Sequence, residues 1–143
     1  MACYETTTDI AGPPDELFSI LADYTNAAEW NPAYVSVEQT EGEGPGLGAR
    51  YSVVFNFYGR HFDIDYEVTE FVQSERVVLT GTSKRVRARD EMVIKANGSA
   101  SLVHRVAELS FTGPIRLLDG GLQVAFESIS KRARERLGEL SAA

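Results

Sequence analysis

The stretch VRARDEMVIKANGSASLVHRVAELSF, residues 86–111, decides the fold, because it has the pattern of two strands joined by a tight turn. Asn97-Gly98 in its middle is a strong signal for a two-residue type I′ hairpin loop. If these two residues form the loop, Asp90 faces Arg105 across the two strands. Side chains alternate along a strand, so one face of this hairpin is largely apolar and the other is largely polar. The stretch therefore predicts a hairpin with one buried face.

A second hairpin is predicted before it, with Gly59-Arg60 as the loop and Phe57 facing Phe62. A one-residue slip would turn its aromatic side chains outward, so this register is well specified. The reverse face alternates charged and polar side chains that are roughly 7 Å apart, which is awkward for a single ion. We therefore expect a solvated face with no metal and no cofactor there; its candidate ligands are His61, Asp63, Asp65 and Glu67.

The remaining chain completes an α+β pattern. A strand over 2–10 precedes a helix over 14–23 and a second short helix over 25–30, which Pro32 ends. Strands follow over 35–112, and a long helix is predicted over 114–141. We expect a single domain, 1–143, in which a seven-stranded antiparallel curved sheet wraps around the C-terminal helix. The apolar stripe of that helix consists of Ile115, Leu118, Leu122, Phe126, Ile129, Ala133, Leu137 and Leu140.

The charge and the single cysteine limit the possible functions. A net charge of −7 argues against nucleic-acid binding and against electrostatic attachment to anionic lipid. One cysteine, Cys3, cannot form an internal disulfide. The N-terminal residues lack the pattern of a signal peptide, and no apolar stretch is long enough to span a bilayer. We therefore expect a soluble cytoplasmic protein without stable membrane anchoring, either a monomer or a homodimer.

Asp90 and Arg105 are the charged residues predicted on the apolar inner face. They could form a structural ion pair, or they could supply a polar handle inside a ligand cavity. An enzyme in this cavity would need a base and a hydrogen-bond donor, for which Asp90, Arg105 and Tyr66 are the candidates. A carboxylate held against a guanidinium is a poor base, so we favour Arg105 as a ligand anchor.

Trp30 is the only tryptophan, and it lies in a short polar connection. It could anchor that connection or form part of a pocket wall, and these two roles are compatible. The full set of candidate ligand-binding residues is Trp30, Tyr51, Phe55, Phe57, Tyr66, Asp90, Met92, Arg105 and Phe126.

Four segments resemble the SRPBCC superfamily, and more closely its polyketide cyclase/dehydrase-type members: LFSILADYTNAAEWNP, GPGLGARYSVVF, VTEFVQSERVVLTG and ANGSASLVHRVAELSFTGPIRLLDGGL. The shared features are a tryptophan before Asn-Pro, a Gly-x-Gly before the third strand and a Gly-Pro before the long helix. The resemblance implies the START-like helix-grip fold, with a deep apolar cavity between the sheet and the last helix. No catalytic residue carries over from it.

Three functions remain open at this point. The first is binding of a hydrophobic small molecule, lipid-, polyketide- or isoprenoid-like, in the cavity. The second is a polyketide cyclase/dehydratase that promotes aldol closure and dehydration there. The third is a partner-binding or chaperone-like protein without a ligand. Convergent polar groups beyond Asp90 and Arg105 would favour catalysis, and a uniformly apolar cavity would favour binding.

Overall fold

The computed structural model describes residues 2–57, 59–84, 86–111 and 119–139, with only the backbone of 119–125. Within these ranges the predicted α+β architecture is confirmed. The elements are β1 (Ala2–Ala11), α1 (Pro14–Ala22), a 3₁₀ turn (Tyr24–Asn26), α2 (Ala27–Trp30), β2 (Tyr34–Glu41), β3 (Arg50–Phe57), β4 (Arg60–Val72), β5 (Arg76–Thr82), β6 (Val86–Asn97), β7 (Ala100–Phe111) and α3 (Asp119–Glu139).

The seven strands form one curved antiparallel sheet in the order β1-β7-β6-β5-β4-β3-β2. The first strand therefore pairs with the last one, and the meander from β2 to β7 fills the rest. The two predicted hairpins are β3–β4 and β6–β7 of this sheet, and their inner faces turn towards α3. Among the described residues, α3 packs mainly against β1 and to a lesser extent against β7.

The segment between β1 and β2 is folded by local signals. Pro14 occupies the first turn of α1, where a missing N–H costs nothing, and Asp15 and Glu16 complement the helix dipole. Asp23 ends the helix, and its side chain accepts hydrogen bonds from the backbone N–H and the hydroxyl of Thr25. This Asx turn starts the 3₁₀ turn and delivers Tyr24 and Trp30 to the protein interior.

Both predicted hairpin registers are wrong by two residues. In the first hairpin Phe57 pairs with Arg60 and Phe55 pairs with Phe62, so the loop lies one residue earlier than Gly59-Arg60. In the second, Asn97 pairs with Ala100, so Gly98 and Ser99 form the loop.

The type I′ turn is also wrong. Gly98 has a φ of +64°, and neither Asn97 nor Ser99 has a positive φ. A glycine with positive φ at the first loop position is typical of a type II′ turn. A shift by two residues keeps every side chain on its predicted face, so the inner and outer faces are as expected. It does change partners: Asp90 pairs with Ala107 and Arg105 pairs with Met92, so the two charged residues do not face each other directly.

The last helix buries a stripe at helical spacing. Phe126, Ala133 and Leu137 are buried as predicted, Ile129 is partly buried, and Ser130 is buried between them. Among the predicted stripe residues, Ile115, Leu118 and Leu140 lie outside the described residues, as does the side chain of Leu122. None of the helices in the described ranges is long and apolar enough to cross a membrane.

Candidate functional site

A cavity lies between α3 and the inner face of the sheet. Its free volume is about 370 Å³, including a mouth that opens to solvent. The part that is wide enough for water holds roughly one or two molecules, so a larger guest must displace some of the wall. The residues that border it are Asn31, Tyr34, Phe55, Tyr66, Ala88, Arg89, Asp90, Arg105, Ala107, Glu108, Leu109, Phe126, Ile129 and Ser130.

Asp90 and Arg105 form a buried, bidentate ion pair at this cavity. The Nε of Arg105 donates to Oδ1 of Asp90 at 2.8 Å, and its Nη2 donates to Oδ2 at 3.0 Å. The two residues sit diagonally on β6 and β7, within reach of a long arginine side chain. Asp90 is 2% exposed and Arg105 is 4% exposed, so neither charge is compensated by bulk water. Burial of two such charges is tolerable because each one satisfies the other.

Three tyrosine hydroxyls extend this pair into a polar network. The hydroxyl of Tyr24 donates to Oδ2 of Asp90 at 3.0 Å and lies 2.5 Å from the hydroxyl of Tyr34. The hydroxyls of Tyr34 and Tyr66 are hydrogen-bonded at 3.3 Å. The Asp90 carboxylate therefore accepts three hydrogen bonds, two from Arg105 and one from Tyr24. With Arg105 on β7, the network connects five elements: the 3₁₀ turn, β2, β4, β6 and β7.

The network keeps its tyrosines neutral and its arginine charged. Burial raises the pKa of Tyr34 to about 12, and the nearby Asp90 carboxylate adds to this effect. Burial also raises the pKa of Tyr24 and the pKa of Tyr66 well above their usual range. Burial alone would lower the pKa of Arg105, but contact with Asp90 more than offsets this and raises it. At neutral pH the site thus offers hydroxyl and guanidinium donors.

Trp30 packs beneath the guanidinium of Arg105. The Cζ atom of Arg105 lies 4.9 Å from the centre of the Trp30 ring, within the range of a cation–π contact. The Trp30 ring is 1% exposed and meets the ring of Tyr24 edge-on at 6.4 Å. It is not among the residues that border the cavity, so it supports Arg105 from within the packed core.

Gly81 on β5 makes room for Tyr66. A methyl group at position 81 would lie 2.8 Å from Cε1 of Tyr66 and 2.8 Å from Cγ2 of Ile64. Tyr66 pairs with Gly81 across β4 and β5, so its ring crosses the bare backbone there. This close approach places the Tyr66 hydroxyl within reach of Tyr34, and any side chain at position 81 would displace it.

The structure separates the nine candidate ligand-binding residues into two groups. Five border the cavity: Phe55, Tyr66, Asp90, Arg105 and Phe126. Trp30, Tyr51 and Met92 are fully buried in the core away from it, while Phe57 is partly buried and stacks on Phe55 at 6.0 Å between ring centres.

On the outer face of the sheet, no group of three or more potential metal ligands comes together among the described residues.

Sequence reasoning missed Tyr24, Tyr34, Asn31 and Ser130. Tyr24 carried a usable signal, because it continues the helical spacing of Leu17, Ile20 and Leu21, and a buried tyrosine needs a partner for its hydroxyl. Ser130 also fits helical spacing with Phe126 and Ala133. Nothing in the sequence pattern distinguished Tyr34 or Asn31.

Comparison with known proteins agrees with this architecture. A family model described as "Polyketide cyclase / dehydrase and lipid transport" matches residues 1–142. No curated protein matches the sequence.

Solved structures of the same fold include a START superfamily protein from Mycobacterium smegmatis, with a TM-score of 0.68 and 12% identity over 96% of this chain and 99% of that one. A protein from Thermus thermophilus has a TM-score of 0.72 and 20% identity over 94% of this chain and 96% of that one. The di-domain ARO/CYC BexL from the BE-7585A biosynthetic pathway has a TM-score of 0.71 and 14% identity, with 97% of this chain covering 46% of that one. At these identities the likeness establishes the fold and leaves the ligand open.

Proposed function

The chain belongs to the polyketide cyclase / dehydrase and lipid transport family, and from that premise we propose that it binds a hydrophobic small molecule in the cavity between its sheet and α3. Family and fold support either a hydrophobic-ligand-binding or a polyketide-cyclase-like role. The choice between them rests on the chemistry of the described cavity.

The observation that carries the binding proposal is a buried donor with unused capacity in an apolar enclosure. Arg105 has five N–H groups, and Asp90 occupies two of them. Asp90 is its hydrogen-bond partner among the described residues, and none of their side chains accepts from the other three N–H groups, which we propose to be available to a guest. Around them the wall is mostly apolar, with Phe55, Leu109 and Phe126 on it. A few placed polar groups in an apolar pocket are typical of small-molecule sites.

The binding proposal is tested by native mass spectrometry of the purified protein, which detects a co-purifying ligand. Solvent extraction then recovers that ligand for identification. Uptake of the neutral dye Nile red provides a second readout. Ala107→Phe places a large ring in the cavity wall and should abolish uptake. Val106→Phe, on the same strand and the opposite face, is the matched control and should leave uptake intact. Absence of both ligand and uptake would refute binding and leave the partner-binding alternative.

A polyketide cyclase/dehydratase is the second candidate, and the convergence of polar groups favours it. Tyr34, Tyr66, Asn31 and Ser130 border the cavity beside the ion pair, more than a simple binding site requires. The donors could stabilise an enolate. The difficulty is the base, because Asp90 already accepts three hydrogen bonds and is held against Arg105.

Hydrogen exchange at carbon separates these two functions. A cyclase must remove a proton alpha to a carbonyl, so it should accelerate deuterium uptake by a bound β-diketone in heavy water. Proton NMR of the diketone measures this rate with and without protein. Acceleration that Asp90→Asn abolishes would favour catalysis, whereas binding without acceleration would favour a carrier or receptor.

A further inference from the structure

Among the described residues that border the cavity, the charges on the inner face of the sheet balance each other. On the inner face, the Asp90 carboxylate balances the Arg105 guanidinium through two contacts of 2.8 and 3.0 Å. Arg89 and Glu108 also border the cavity, but they occupy paired positions on β6 and β7 that project from the opposite face of the sheet. There the Arg89 guanidinium lies 3.3 Å from the Glu91 carboxylate. Among the described residues, the charges on the enclosed side of the site therefore sum to zero.

This balance determines which kind of oxygen can accept a hydrogen bond from the Arg105 N–H groups. A carbonyl or hydroxyl oxygen can take a hydrogen bond from Arg105 without adding charge. A carboxylate would add a negative charge next to Asp90 in a place with little water, and the one guanidinium would then face two anions. Like charges in a buried site disfavour ionisation of at least one of them, and a buried charge without its own partner is costly.

We propose, resting on the binding function above, that the cavity selects neutral ligands whose carbonyl or hydroxyl oxygen accepts a hydrogen bond from Arg105. Asp90 excludes carboxylates because it already neutralises the Arg105 guanidinium, which would otherwise be their counter-charge. Asp90 is thus a specificity-determining residue that need not touch the ligand. The neighbouring hydroxyls of Tyr34 and Tyr66 fit the same ligand class, since both stay neutral and can donate or accept.

The test is displacement of Nile red by two probes of matched length, methyl octyl ketone and decanoate. At about pH 8 the ketone should displace the dye at concentrations at least tenfold lower than decanoate. If only the protonated acid binds, the apparent affinity of decanoate should rise about tenfold per pH unit between about pH 8 and pH 6, because its protonated fraction rises by that factor. The affinity of the ketone should stay constant.

Tyr34, Tyr66 and Arg105 keep their protonation states in this interval. The two tyrosines have raised pKa values, and the pKa of Arg105 is raised by its contact with Asp90. Neither histidine borders the cavity: His61 is exposed, and His104 bonds Glu5 on the outer face. A pH effect therefore reports the protonation of the probe.

A pair of variants tests the role of Asp90. Asp90→Asn removes the internal counter-charge and should improve decanoate binding at least tenfold relative to the ketone. Glu67→Gln is the control, since it also removes one carboxylate from an arginine but does so at the surface, and it should change neither affinity. If Asp90→Asn does not fold, the pH series on the unaltered protein still decides whether the cavity excludes carboxylates.

Each outcome has one meaning. Equal displacement by decanoate and ketone at about pH 8 would overturn the selectivity and leave the binding function in place. An unchanged preference in folded Asp90→Asn would overturn the role of Asp90. Failure of Nile red and both probes to bind would overturn the proposed function itself, and the selectivity with it.

Discussion

Removing one partner of the Asp90–Arg105 pair should destabilise the protein far more than removing one partner of an exposed pair. In Asp90→Asn the amide oxygen can replace one carboxylate oxygen. The NH₂ group then takes the place of the other oxygen, where it is a donor that faces the N–H donors of Arg105. At least one charge-assisted hydrogen bond is lost, which costs about 1.5–3 kcal/mol. The guanidinium, 4% exposed, also loses its counter-charge. We expect a total loss of about 3–5 kcal/mol.

That loss is a large part of the free energy of unfolding of a typical domain, which is about 5–15 kcal/mol. Urea unfolding, followed by far-UV circular dichroism and by the fluorescence of the sole tryptophan, measures it. Trp30 lies beneath Arg105, so its emission reports on the pair itself. Glu67→Gln is the control: its 2.6 Å contact with Arg50 is as short, but the two side chains are 37% and 46% exposed. It should cost less than about 1 kcal/mol.

The double variant Asp90→Asn/Arg105→Met completes the cycle. Arg105→Met alone leaves the Asp90 carboxylate buried with Tyr24 as its donor, and should cost about as much as Asp90→Asn. Because the second change removes the charge that the first leaves unpaired, the double variant should be less destabilised than the sum of the two single variants. Additive costs, or an Asp90→Asn cost no larger than that of Glu67→Gln, would refute the reasoning.

The remaining predictions concern the tyrosines and Gly81. Tyr24→Phe should lower the free energy of unfolding in urea by about 1–3 kcal/mol, because its hydroxyl bonds Asp90 and Tyr34. Tyr51→Phe should be neutral or stabilising, because that buried hydroxyl has no hydrogen-bond partner among the described residues. Equal costs for the two variants would contradict this. Gly81→Ala should lower the free energy of unfolding by about 1–3 kcal/mol, because the added methyl group crowds the Tyr66 ring. Gly46→Ala is the control and should cost little, because its methyl group would meet no atom within 4 Å. A neutral Gly81→Ala would show that the Tyr66 ring can move freely. The pKa of Tyr34 is raised from 10.0 to about 12, so between these values the folded state holds more protons than the unfolded state. The contribution of Tyr34 to stability should therefore be full below pH 10 and fall as pH rises towards 12, with tyrosinate absorbance rising late for the buried residues. Full tyrosinate absorbance near pH 10 in the folded protein would contradict the last prediction.

The two hairpins show how far local patterns reach. Alternation correctly predicted that Asp90, Arg105 and Tyr66 lie on the inner face, because a register shift by two residues preserves the face of every side chain. It could not predict that Arg105 pairs with Met92. That depended on whether Asn97-Gly98 or Gly98-Ser99 forms the loop, and the strands of the folded sheet pair in the second register although Asn-Gly is the stronger local signal.

The site shows the same limit more clearly. Tyr24 comes from a turn, Tyr34 from one edge of the sheet and Asp90 from its middle, and their hydroxyl and carboxylate groups meet within 3.0 Å. No periodicity relates these positions, because their contact depends on the curvature of the sheet and on how the short helices cover its end. The Tyr66–Gly81 approach likewise became visible only when β4 and β5 were paired.

By itself, the sequence determined the class of fold, the order of the elements and which side chains face inward, because hydrophobic alternation, helical spacing and turn residues act over a few positions. Only the tertiary structure decided which of the inward side chains line a cavity and which fill the core. Filled core and cavity wall are built from the same apolar residues, and the difference lies in the distance between α3 and the sheet. The same holds for the charge of the site: two charged residues were visible in the sequence, but their mutual neutralisation is a property of the folded geometry.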